Sequence, residues 1–68
     1  MNKEELIKKI REMMAFEFNE SIRCESLSVQ YSETNVEWSL FYYNLATTFT
    51  HGWAVLRKLL EEIKNGKI

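Results

Sequence analysis

Few residues in this chain have side chains able to do covalent or metal chemistry. Cys24 is the only cysteine and His51 the only histidine. As a pair they would make a thiol nucleophile and its base, but no third group orients the imidazole and no oxyanion-stabilising segment accompanies them. A buried, inert thiol and a surface histidine on a helix are the expected states of the two. Glu17, among the apolar neighbours Met13 and Met14, is a candidate acid. Fraying of the chain near Ala15, or an ion pair with Arg11 or Arg23, accounts for it more simply. The sequence has no glycine-rich phosphate loop, no metal-spaced cluster and no nucleophile elbow. The expectation is a protein that is not an enzyme and uses no cofactor or metal.

At 68 residues the chain makes one domain, residues 1–68, with little surface to bury. Domains this small usually gain stability from disulfides, a metal or oligomerisation. One cysteine and one histidine support neither of the first two, whereas an apolar fraction of 46% can supply an interface. An uncrosslinked thiol suits a reducing compartment. The start, Met-Asn-Lys-Glu-Glu, is charged and carries no apolar core of signal-peptide length. No apolar run reaches bilayer length, so a cytoplasmic protein with no membrane partner is expected. Nine basic and ten acidic residues leave a formal charge of −1, too little field to draw in nucleic acid.

Residues 2–18 carry helical periodicity. Asn2 can cap the segment with Glu5 three residues on, and Leu6, Ile7, Ile10, Met13, Met14 and Phe18 recur on one side. Glu17 interrupts that stripe and Phe16 points away from it. From residue 22 the apolar period becomes two, which predicts strands over 22–32 and 36–43 joined by the turn Ser32-Glu33-Thr34-Asn35. That register opposes Tyr31 to Val36, Val29 to Trp38 and Leu27 to Leu40 on one face, with Ser28 opposite Ser39 on the other. Residues 44–65 then read as a helix capped by Asn44 and stopped by Gly66. Thr47, Thr48 and Thr50 weaken its start, so 45–50 is either helix or a short third strand. Gly52, on the buried arc, marks a close approach by another element.

The fold expected from this order is α+β, helix–β-hairpin–helix (α-β-β-α), completed as a homodimer with a four-stranded antiparallel sheet that removes the exposed edges. The base of the hairpin is apolar on both faces, which places Phe41, Tyr43, Cys24 and Ile22 at the interface, with Phe16 joining them from the first helix. A helix, three strands and a helix would resemble a double-stranded-RNA-binding domain in element order. The last helix, however, opens on Thr-His-Gly-Trp in place of that family's basic cluster, so nucleic-acid binding is the weaker alternative.

Two functional classes follow. The first is a non-catalytic protein–protein interaction module, a homodimeric inhibitor or adaptor acting on a larger protein. Compact products of this kind are common in phage and mobile elements. The alternative is a binder that sequesters a small, nucleotide-like planar ligand. Its pocket would stack Tyr31, Trp38, Tyr42 and Trp53 on the ligand, with Arg23 or Arg57 supplying charge.

Overall fold

The structure, a computed structural model, describes residues 2–67. It holds two antiparallel helices of 29 residues each, α1 (Lys3–Tyr31) and α2 (Val36–Lys64), joined by a four-residue turn. The rod measures 49 × 16 × 13 Å. No strand occurs among the described residues, so both the α+β expectation and the dimer-spanning four-stranded sheet are overturned. The third-strand option at 45–50 goes with them, and with it the element order of the RNA-binding domain.

Heptad spacing explains the difference. Ile7, Ile10, Met14, Glu17, Ser21, Cys24, Ser28 and Tyr31 follow one another at alternating steps of three and four residues. Ser39, Tyr42, Ala46, Phe49, Trp53, Leu56, Leu60 and Ile63 do the same on α2, and the two rows form the seam between the helices. Along residues 17–28 the row on α1 is small or polar while the large apolar residues flank it. Judged by hydrophobicity alone, residues 27–31 and 36–40 alternate; judged by position, they continue the helices. No fraying occurs at Ala15, and α1 runs unbroken through Glu17 to Tyr31.

The ends obey local rules that were visible beforehand. Asn2 Oδ1 accepts the Glu5 backbone N–H at 2.8 Å. The turn falls at Ser32–Asn35 as expected, and Asn35 is extended. Its Oδ1 accepts from the Trp38 N–H at 3.1 Å, so Asn35, not Asn44, caps the second helix. Gly66 at φ 74° closes α2, with Gly66 N–H bonded to Ile63 O at 3.1 Å and Lys67 N–H to Glu62 O at 2.9 Å. The threonines expected to weaken the helix donate their hydroxyls to carbonyls one turn back: Thr47 to Tyr43, Thr48 to Asn44 and Thr50 to Ala46.

The seam changes character along its length. At the end that holds the chain termini, Ile10, Leu60 and Ile63 are buried and packed by Leu6, Ile7, Met14, Leu56 and Leu59. Toward the turn only Cys24 and Ala46 are buried. There the helices are latched by a reciprocal pair: Ser28 Oγ donates to Ser39 O and Ser39 Oγ to Ser28 O, both at 2.8 Å. These serines do oppose one another as the sequence suggested, but across a helical seam and half-buried. Gly52 is indeed a close-approach site. A Cβ there would lie 2.9 Å from Glu17 Oε2, so the glycine makes room for the one charged member of the seam.

Candidate interaction surface

Because the seam holds small side chains at Ser21, Cys24, Ser28, Ser39 and Ala46, most large apolar residues of the turn-proximal half stand outside it, apart from the Tyr31–Tyr42 stack at its end. Among the described residues, eleven large hydrophobic side chains are 47% to 69% exposed, and nine of them lie between Phe16 and Tyr43. Four of the six residues expected to pair in a hairpin core are among them: Val29, Val36, Trp38 and Leu40 all face out, as does Phe18 from the first stripe, while Leu27 and Tyr31 are half-buried. Heptad positions divide the eleven between two flanks of the seam. Phe18, Ile22 and Val29 of α1 share one flank with Val36, Leu40 and Tyr43 of α2. Met13 and Phe16 of α1 share the other with Trp38, Phe41 and Val55 of α2.

The proposed interface residues are thus separated. Tyr43 and Ile22 sit on the first flank, Phe41 and Phe16 on the second, and Cys24 is wholly enclosed in the seam. On a strand Phe41 and Tyr43 would point the same way; on a helix, two residues apart, they do not. Phe16 packs edge-on against Phe49 with ring centres 6.3 Å apart. Sequence reasoning missed Met13, Phe18, Val29, Val36, Leu40 and Val55 as surface residues. The heptad spacing was the signal that could have found them.

The residues assigned to a ligand pocket are likewise only partly assembled. Tyr31 stacks on Tyr42 at 6.0 Å and packs edge-to-face with Trp38 at 5.2 Å, so these rings pack on one another. Trp53 lies farther along α2 beneath the Arg57 guanidinium, 5.6 Å from the ring centre. Arg23 is held by Glu20 at 2.7 Å, and that hydrogen-bonded carboxylate raises its pKa further above the ordinary guanidinium value. Cys24 is buried, His51 is exposed, and no three histidine, cysteine or acidic side chains converge among the described residues.

Charge is also distributed unevenly along the rod. Residues 17–50 hold five acids (Glu17, Glu20, Glu25, Glu33 and Glu37) against Arg23 alone, a net −4. The remaining residues, which form the end with the termini, hold eight bases against five acids, a net +3. Arg11 and Glu25 belong to the first apolar flank: Arg11 lines a groove with Lys8, Ala15 and Lys64, and Glu25 lines one with Val29, Tyr43 and Thr50.

No protein-family model, curated protein or solved structure matches this chain. Among the described residues, no helix is long and apolar enough to cross a membrane.

Proposed function

We propose that the chain is a non-catalytic interaction module that works as a homodimer and engages a larger protein as an inhibitor or adaptor. One observation carries this reading: the apolar side chains absent from the turn-proximal seam are displayed on both flanks of the hairpin. A compact monomer of 8.2 kDa exposes about 4,500 Å². The hairpin exposes 5329 Å², an excess of roughly 800 Å², which is the share each partner buries in a standard specific interface. Self-association covers one flank. The other, with Trp38 and Phe41 at its turn end, keeps the aromatic character favoured at binding hot spots.

Light scattering across micromolar to near-millimolar protein tests the first half of the reading. A particle of twice the chain mass is expected, and a folded monomer at the highest concentration would overturn it. For the second half, Phe41→Asp is expected to leave the dimer intact and remove binding to the larger protein.

A further inference from the structure

The charge distribution and the spacing of the first flank together fix how a second copy would sit. We propose that two hairpins stack face to face through the flank bearing Phe18, with their turns at opposite ends, to form an antiparallel four-helix bundle. This rests on the homodimer reading and adds its face, its direction and its register.

Direction follows from charge. With the turns together, the net −4 ends would overlie one another, as would the net +3 ends. With the turns apart, each acidic half lies against a basic one, the complementarity that guides association and excludes wrong arrangements.

Register follows from spacing. On α1, Arg11, Phe18 and Glu25 occupy equivalent positions seven residues apart; on α2, Tyr43, Thr50 and Arg57 do the same. An antiparallel overlay pivoting on Phe18 sets Phe18 against its own copy and Arg11 against the partner's Glu25, twice over. The smaller Ala15 then receives the partner's Ile22. Pivoting α2 on Thr50 brings Tyr43 to the partner's Arg57 and Thr47 to the partner's Ala54. Both pivots fall at one level of the hairpin, since Phe18 and Thr50, with Ser21 and Trp53, line a single apolar pocket. One twofold axis therefore satisfies both helices, and it lies beside a recess able to take the partner's Phe18. Phe18 and Thr50 are also close to the midpoints of their helices, so the two rods overlap almost completely. The exposed apolar residues nearest the turn are then covered by lysine stems from the opposite end, Val29 by Lys8 and Val36 by Lys64.

Charge reversal at low salt, followed by sedimentation equilibrium, tests the register. Arg11→Glu and Glu25→Arg should each weaken dimerisation about tenfold, and the double reversal should return it to within about threefold of the original. Two silent single variants, or a double variant no tighter than the singles, overturn this face and register. Direction is read from spin labels at Thr34→Cys in a Cys24→Ala background, with circular dichroism confirming the helices. The labels should lie apart by nearly the 49 Å length of the rod. A separation below about 20 Å, the reach of side chains across two packed helix layers, overturns the antiparallel arrangement but leaves the dimer standing. A monomer in sedimentation overturns the homodimer reading itself.

Discussion

The two halves of the hairpin use the same helices to opposite ends. Where the termini lie, isoleucine and leucine interlock between α1 and α2, and few large apolar groups are left over. Toward the turn, serine, cysteine and alanine line the seam up to the Tyr31–Tyr42 stack, and most of the hydrophobic bulk stands outside it. One half spends its apolar residues on holding the chain together; the other keeps them available for contact with something else. A small-residue seam does not lack packing, because it lets two helices approach closely while their larger side chains are directed sideways.

Substitutions can break or sharpen this contrast. The largest effect belongs to the terminal half: Ile63→Ala, at a side chain only 2% exposed, is expected to cost about 3 kcal/mol in chemical denaturation. In so small a domain that approaches global unfolding. An equally drastic truncation at an exposed position near the turn, Leu40→Ala, should change the unfolding of isolated monomer by less than about 0.5 kcal/mol. A loss at Leu40 as large as at Ile63 would erase the distinction. Next in size, enlarging the small seam with Ala46→Leu should destabilise by about 2 kcal/mol through overpacking; tolerance would show that the helices are not closely apposed there. Ser28→Ala removes one arm of the reciprocal latch and should cost about 1 kcal/mol by thermal melting. The smallest change is expected at Gly52→Ala. Roughly 1 kcal/mol of helix propensity gained is set against displacement of the Glu17 carboxylate, whose flexible end can swing aside. The net shift in stability should be slight and favourable, and a clear loss would mean that Glu17 is fixed in place.

Much of the local structure was legible in the sequence. The Asn2 cap, the position of the turn, the helix over 44–65 and the Gly66 stop all depend on side chains acting within a few residues of themselves. The strands over 22–32 and 36–43 were wrong for a physical reason. Period-two alternation and a heptad with small seam residues produce the same pattern of apolar and polar types over two turns of chain. Only the full row, from Ile7 to Tyr31 and from Ser39 to Ile63, separates them. The two-faced apolar character around Ile22, Phe41 and Tyr43 was also visible, but the wrong backbone placed it on one pleated ribbon when it belongs to two flanks of a rod. Cys24 was assigned to the interface on that ribbon; as a small apolar side chain at a helix contact, it lies inside.

That enclosure gives the protein a built-in clock for its own breathing. The Cys24 thiol exposes 0% of its surface, so a thiol reagent can reach it only when the helices part near the turn. The rate of modification at saturating reagent therefore counts those openings directly. Anything clasping the rod from outside will slow the count without touching the sulfur.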